Sequence, residues 1–353
     1  MANLPKEAWG AIAAIIAALI AVASAIYNAL QKSKADQNLE LYKLEMNKQM
    51  ADHGAALADR NSVQAARREY EFEARKRLYK ECEPLFFRFS DNGINAYYRI
   101  QGLARGSRDK TLDARNYLGS YDYYFKSTIY KLFAPIAIYR LMLDKLTLVD
   151  LKLDNCLNLQ YMVVKQLYLS WTDDFVFANY AGCEYDPNNM DWKTLREAKP
   201  QHFWRQGLPM GLLDIVIELL LTEDGDHRRL ISYGEFEKNI NNDDYTRHQL
   251  ELVKDVLTKF TPETRPVLWN LLVTQAILYR GLINIQYADD VPMDSNGEWY
   301  KKMFELDVQE VEKFKINAGG AEEENKQLSE AMRVAKEYIM TTLSPENPGM
   351  RKR

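Results

Sequence analysis

The chain has 353 residues and a formal net charge of −4, with 27% charged and 47% hydrophobic residues. This length allows two or three structural units, and the composition is that of an ordinary folded protein. The mild acidity argues against a nucleic-acid-binding surface, so no nucleic-acid partner is expected. Three cysteines, Cys82, Cys156 and Cys183, are too few for a disulfide framework and predict free thiols in a reducing compartment.

An uncharged, mostly apolar segment near the N-terminus, "WGAIAAIIAALIAVASAIYNALQ", is the strongest signal in the sequence. Residues 8–31 carry no charge, and about 20 apolar residues in a helix cross a bilayer. A buried core helix would usually keep a polar stripe, which is absent here. A signal peptide cut at the Ala-Ser-Ala triplet of residues 23–25 is the other alternative. Because Lys6 stands beside Glu7 and the apolar residues continue past that triplet, we predict an uncleaved transmembrane anchor within residues 1–31.

The distribution of lysines predicts the orientation of this anchor. One lysine, Lys6, precedes the apolar segment, whereas Lys32, Lys34, Lys43 and Lys48 follow it. Basic residues near the ends of a span favour the cytoplasmic side. The sequence therefore predicts a single-pass protein of the bacterial inner membrane, in contact with the lipid bilayer, whose C-terminal body is cytoplasmic.

Small residues recur along one face of the predicted span. Ala13, Ala17 and Ala21 are spaced four residues apart, and Ser24 and Asn28 lie near the same face at its C-terminal end. Small side chains at this spacing let two transmembrane helices approach closely, and the polar ones can form hydrogen bonds between helices. This pattern predicts a homo-oligomer that associates through the span.

Residues 32–83 are predicted to form a helical stalk. They contain no proline and a single glycine, Gly54, and most of the other residues are strong helix formers. Leu39, Tyr42 and Met46 begin a heptad-like stripe that weakens further along the chain, whereas a stable coiled coil sustains the pattern over three or four heptads. Two alternatives remain: one helix with a poor coiled-coil seam, or two helices broken near Gly54.

Residues 84–316 are predicted to form a helical bundle. Their apolar residues recur with the period of a helix, and no segment of useful length alternates with the period of a strand. A helix containing Pro135 is expected to be kinked or divided there. Residues 317–353 are predicted to form an amphipathic helix with a basic tail. The fold class is therefore all-α: a transmembrane helix, a helical or coiled-coil stalk and a C-terminal bundle.

An arginine and a histidine separated by five residues, Arg196 and His202, form the one pattern associated with catalysis. The pair resembles the R-x(4–6)-H motif of HEPN ribonucleases, an all-α family common in bacterial defence. The resemblance implies that His202 acts as general acid and base on a ribose hydroxyl while Arg196 holds the phosphate. Because Pro200 lies inside the pattern and the segment is predicted to be a loop, we interpret the match as chance and expect His202 not to be catalytic.

Charged and polar side chains within apolar helices mark a second candidate site. Thr172, Asp173 and Asp174 lie amid one predicted apolar helix, and Arg140 and Arg280 lie in two others. Adjacent aspartates on a helix point about 100° apart and make a poor metal pair. Structural ion pairs between these groups are the first interpretation, and a polar ligand pocket is the second. With four histidines and no phosphate-binding or CxxC motif, we expect no metal and no cofactor.

Residues 124–154, "YFKSTIYKLFAPIAIYRLM…LTLVDLKLD", resemble an uncharacterised group of bacterial membrane-anchored all-α proteins. The resemblance implies no activity and no functional residue. Together these features predict an oligomeric, membrane-anchored scaffold, sensor or membrane-perturbing effector, in the setting of phage defence and with a partner protein from the same operon. The alternative is a membrane-tethered enzyme such as a HEPN-like ribonuclease.

Overall fold

The computed structural model describes most of the chain. The described residues are 6–114, 116–146, 154–189, 199–225, 227–286, 298–314 and 322–343. They divide between two compact units, residues 1–72 and residues 73–353. The described residues are overwhelmingly helical with two short strands, which confirms the all-α fold class.

The first helix, α1, runs from Lys6 to Arg108 without interruption. Gly54 and Pro84 both lie inside it, so the alternative of two helices broken near Gly54 is wrong. A proline inside a helix costs about 3 kcal/mol. Packing on the opposite face offsets this cost, because Pro84 is exposed while buried side chains precede and follow it at helical spacing. These buried side chains are Leu78, Cys82, Phe86 and Phe89.

The first unit contains the N-terminal part of α1. Every described side chain from Gly10 to Tyr70 is exposed, including the apolar segment from Gly10 onward and the large hydrophobic side chains that follow it. This long apolar helix could span a membrane. Exposed apolar surface of this extent is expected where a helix contacts lipid or another protein.

The second unit packs the end of α1 together with the remaining elements. Up to the middle of the chain the helices are α2 (Thr111–Ala114), α3 (Tyr123–Leu146), α4 (Asn155–Ser170), α5 (Asp174–Tyr180), α6 (Pro200–Phe203) and α7 (Met210–Glu218). After two strands follow α8 (Tyr233–Asn242), α9 (Asp244–Leu257), α10 (Pro266–Gln286), α11 (Glu298–Phe304), α12 (Val308–Phe314) and α13 (Glu322–Leu343). Pro135 lies inside α3, which is a single helix. The predicted basic tail after Leu343 lies outside the described residues.

Helix α10 is the centre of this unit. It is long and apolar enough to cross a membrane, but most of it is buried inside the protein, so it is a core helix. Helices α4, α5, α11 and α13 pack against it. The end of α1 also contacts it, since the rings of Phe89 and Tyr279 are 6.4 Å apart and the Ser90 hydroxyl donates a 2.7 Å hydrogen bond to Gln286.

A short hairpin interrupts the helical bundle. Strand β1 (Leu221–Asp224) pairs with the antiparallel strand β2 (His227–Leu230). The sequence predicts no strand within residues 84–316, so that expectation is wrong at this position. Helix α7 ends at Glu218. Gly225 adopts a φ of +61° in the turn, a conformation that glycine tolerates and that lets the chain reverse direction.

Glycine at the contact between α10 and α11 is expected to be required for stability. A Cβ atom added to Gly281 would overlap the ring of Phe304. Overpacking of a dense core costs about 1–3 kcal/mol. Gly281→Ala should therefore lower the free energy of unfolding by about this amount, measured by chemical denaturation. The control is Gly211→Ala in α7, where an added Cβ atom meets no other atom within 4 Å. Equal stability of the two variants would contradict the close contact.

Candidate functional site

The two arginines of the predicted polar site contact other carboxylates. Arg140 lies 3.9 Å from Glu218, and Arg280 lies 2.9 Å from Glu310. Arg140 and Glu218 are both about half exposed, so this pair contributes little to stability. The pair of Arg280 and Glu310 is less exposed and joins α10 to α12. Both arginines therefore form ion pairs, but with glutamates rather than with the predicted partners Asp173 and Asp174.

The neighbouring residues Thr172 and Asp173 have structural contacts. The Thr172 hydroxyl donates a 2.8 Å hydrogen bond to the carbonyl of Leu169 at the end of α4. Asp173 accepts a 2.8 Å hydrogen bond from the hydroxyl of Tyr338, a residue of α13. Burial raises the pKa of Tyr338, and the adjacent Asp173 carboxylate raises it further. Asp173 therefore helps to fix α13 on the bundle.

Asp174 begins a buried hydrogen-bond chain that ends on the core helix. It accepts a 2.7 Å hydrogen bond from the hydroxyl of Tyr185, which in turn accepts one of 2.9 Å from the backbone N–H of Gln206. The Gln206 side chain accepts hydrogen bonds from the backbone N–H groups of Val267 and Leu268. These N–H groups belong to the first turn of α10 and have no partner within the helix. The chain of contacts therefore caps α10.

The residues of the ribonuclease-like pattern are only partly described. Arg196 lies outside the described residues, so its relation to His202 stays a prediction. His202 belongs to the short helix α6, and its Nδ1 atom lies 3.5 Å from a carboxylate oxygen of Glu184. Its backbone carbonyl accepts a hydrogen bond from Asp186. These contacts attach α6 to the preceding loop.

A cavity of about 320 Å³ lies between the end of α1, the start of α3 and the segment that joins them. Its size is at the lower end of the range for ligand sites. We call it the arginine–tyrosine pocket, after the six side chains that give it its chemical character. These are Tyr98, Arg99, Arg105, Tyr117, Tyr124 and Lys131. All of them lie within the second unit.

Positive charge predominates in the arginine–tyrosine pocket. Arg99, Arg105 and Lys131 line it together with a single acidic residue, Asp109, which forms an ion pair of 3.1 Å with Arg108. Within the part of the chain that the structure describes, neither Arg105 nor Lys131 forms an ion pair. Because the whole chain carries a net charge of −4, this concentration of cations is local. It favours an anionic ligand.

Aromatic contacts hold one cation of the pocket in place. The Arg99 guanidinium carbon lies 4.7 Å from the centre of the Tyr124 ring, and the side chain donates a 2.6 Å hydrogen bond to Ser127. The Tyr124 ring packs against Tyr117, with ring centres 5.2 Å apart. Stacking on an aromatic face and a fixed hydrogen bond orient a guanidinium before any ligand binds. Arg99 is therefore a preorganised donor.

Glycine leaves the α1 wall of the pocket open. Gly102 lies one helical turn from Arg99 and Arg105, and a Cβ atom added to it would meet no other atom within 4 Å. Residues three and four apart share a helix face. The segment "YRIQGLARG" therefore places arginines and glycines, rather than apolar residues, on one face. This spacing was the available signal for Arg99 and Arg105, whereas Lys131 lies on α3 and has no such local signal. None of the three was predicted from the sequence.

A smaller cavity of about 190 Å³ has a structural explanation. It is lined in part by Trp204 and Arg265. The Arg265 guanidinium carbon lies 3.7 Å from the centre of the Trp204 ring, and the side chain donates hydrogen bonds to the carbonyls of Asp255 and Thr258. This arginine closes the C-terminal end of α9, where carbonyl groups lack partners within the helix.

Comparison with known proteins assigns no role to these features. No protein family, no curated protein and no solved structure matches the chain. The resemblance of residues 124–154 to bacterial membrane-anchored proteins therefore stays a prediction. Among the described residues, no group of three or more histidine, cysteine or acidic side chains is placed to hold a metal ion.

The buried carboxyl group of Asp174 predicts a dependence of stability on pH. Burial is the main cause that raises its pKa, while the Tyr185 hydrogen bond acts in the opposite direction. A carboxyl group whose pKa is higher in the folded state stabilises the fold most at low pH, and this contribution is lost as pH rises through the folded pKa. Relative to Asp174→Asn, the wild-type protein should lose stability as pH rises above about 4, the pKa of a free aspartate.

Urea denaturation at a series of pH values measures this difference. Asp52→Asn, in the exposed part of α1, is the matched control for the removal of one carboxyl group from the surface. Parallel profiles for wild type and Asp174→Asn would show that burial does not perturb this carboxyl group.

Proposed function

We propose that the protein is a membrane-anchored sensor that binds a small anionic ligand in the arginine–tyrosine pocket. One observation carries the proposal. Helix α1 contains the apolar segment near its N-terminus and contributes Tyr98, Arg99 and Arg105 to the pocket near its C-terminus. A ligand in the pocket would therefore contact the same helix that holds the protein in the membrane.

The chemistry of the pocket supports an anionic ligand rather than a purely structural role. Arg105 is exposed and Lys131 is partly exposed, and both side chains line an open cavity. Like charges gathered in a cleft repel one another, and an anion relieves this repulsion. Charge-assisted hydrogen bonds from a preorganised guanidinium such as that of Arg99 are among the strongest that a protein offers to a phosphate or carboxylate.

The proposal places the protein in a bacterial inner membrane with the second unit in the cytoplasm. The excess of lysine after the apolar segment supports this orientation. We also propose that copies associate through the small face that contains Ala13, Ala17 and Ala21. These residues are exposed in the single chain, and lipid provides no hydrophobic force to cover them, so close packing of helix backbones is the interaction available.

The stalk and the cellular setting complete the proposal. The exposed hydrophobic side chains of the stalk include Leu39, Tyr42 and Met46, which supports self-association there too. Whether the stalks form a coiled coil stays a prediction, as do the role in phage defence and the partner protein.

A reporter fusion tests the membrane orientation. Alkaline phosphatase fused after Lys34 should be inactive in bacterial cells, because this enzyme needs the oxidising periplasm to form its disulfides. Green fluorescent protein fused at the same position is the control and should be fluorescent. An active phosphatase with a dark fluorescent fusion would mean that the anchor is inverted or is a cleaved signal peptide.

Binding of inorganic phosphate tests the anion site. In the full chain, purified in mild detergent, phosphate at ten times its dissociation constant should raise the free energy of unfolding by about 1.4 kcal/mol over chloride at equal ionic strength. Thermal denaturation measures this stabilisation. Because Arg105 and Lys131 line the pocket, the double variant Arg105→Glu/Lys131→Glu should abolish it.

The control for the double variant reverses two exposed lysines elsewhere, Lys48→Glu and Lys238→Glu. It has the same change in net charge and should keep the phosphate effect. Loss of the effect in both double variants would indicate general electrostatic attraction. No effect of phosphate on the wild-type protein would contradict the sensor proposal.

A further inference from the structure

The exposed aromatic surface of the arginine–tyrosine pocket has no role in binding a simple anion. Tyr98 lines the pocket and is 60% exposed. Its ring contacts the neighbouring Tyr97 ring edge to face, with centres 5.7 Å apart and planes at 66°. A large aromatic side chain exposed beside a cationic cleft offers a flat apolar surface at low entropic cost.

The cations and the aromatic ring lie on the same face of α1. Tyr98 and Arg105 are two helical turns apart, and Gly102 lies between them with open space in front of its Cα atom. Residues seven apart on a helix share a face. A ligand lying across Gly102 would therefore meet an aromatic ring at one end and a guanidinium at the other.

Two polar side chains that border the same cavity, Asn95 and Thr111, keep hydrogen-bonding capacity for a ligand. Asn95 donates one hydrogen bond to the carbonyl of Asp91, and its side-chain oxygen and second N–H are available to a ligand. The Thr111 hydroxyl donates to the carbonyl of Gly106 and can still accept. These groups match the mixed donors and acceptors of a nucleobase or a ribose.

From this arrangement we infer that the pocket binds a nucleoside monophosphate, with the phosphate on Arg99, Arg105 and Lys131 and the base against Tyr98. This inference rests on the proposed anion site and specifies its ligand. A cavity of about 320 Å³ is at the small end for ligand sites, which favours one nucleotide over a larger dinucleotide. Stacking on an aromatic ring supplies affinity for any base, because every base has a π-face.

Isothermal titration of the full chain in mild detergent tests the inference. The probes are AMP, GMP, CMP and UMP, with adenosine and inorganic phosphate as partial ligands. At least one mononucleotide should bind ten or more times as tightly as phosphate, since it adds a stacked base. Adenosine should bind more weakly than AMP because it lacks the group that contacts the cations.

Variants separate the two halves of the proposed ligand. Tyr98→Ala should weaken mononucleotide binding about tenfold, the loss expected for one base–aromatic stack, and leave phosphate binding unchanged. Tyr98→Phe should retain the affinity for both. Tyr70→Ala, which removes another exposed tyrosine of α1, is the matched control and should change neither. Arg105→Gln should weaken the binding of mononucleotide and phosphate alike.

A steric variant tests the position of the ligand. Gly102→Leu should fill the space across which the ligand lies and prevent binding, whereas Gly54→Leu, at an open helical glycine in the exposed part of α1, should not. A Cβ atom added at either site meets no other atom within 4 Å.

The outcomes distinguish this inference from the proposed function. If phosphate binds but no mononucleotide binds more tightly, or if Tyr98→Ala changes nothing, the nucleotide inference is wrong and the anion site remains. If neither phosphate nor any mononucleotide binds to the wild-type protein, the inference and the proposed function both fall.

Discussion

The fold of the second unit depends on covering a mostly apolar helix that is almost wholly buried. Helix α10 exposes hardly any of its side chains, and a helix that is hydrophobic on all sides must be surrounded. Helices α4, α5, α11 and α13 and the end of α1 provide this cover. The buried N–H groups at its start need partners as well, and the side chain of Gln206 supplies them. Asp174 and Tyr185 hold Gln206 in place through hydrogen bonds, so their position in the protein interior has a structural cause.

The chain contains a second apolar helical segment, which is exposed rather than buried. In the N-terminal part of α1, every described side chain from Gly10 to Tyr70 is exposed. Length and composition alone make both helices candidates for a membrane span. Burial distinguishes them, because α10 is covered within the protein whereas the N-terminal part of α1 is exposed and could span a membrane.

The arginine–tyrosine pocket shows how a helix can change its surroundings along its length. Around Phe89 the buried face of α1 packs against Tyr279 of the core helix. About two and a half to four and a half turns later, the exposed face presents Tyr98, Gly102 and Arg105 to an open cavity. The same helix therefore contributes to the core with one face and to a cationic pocket with the other, which keeps the pocket residues on a rigid element.

The sequence by itself determined the helical class and the apolar N-terminal segment. It also predicted helix throughout the stalk, with Gly54 as the one position where a break was considered. Local periodicity and helix propensity carry this information. Tertiary structure decided the rest. Buried side chains before and after Pro84 stabilise α1, which is continuous through the proline. The turn at Gly225 forms a hairpin inside the segment that was predicted to be a helical bundle. The pocket unites Arg105 with Lys131 from another helix, and contacts between elements distant in sequence have no local signal.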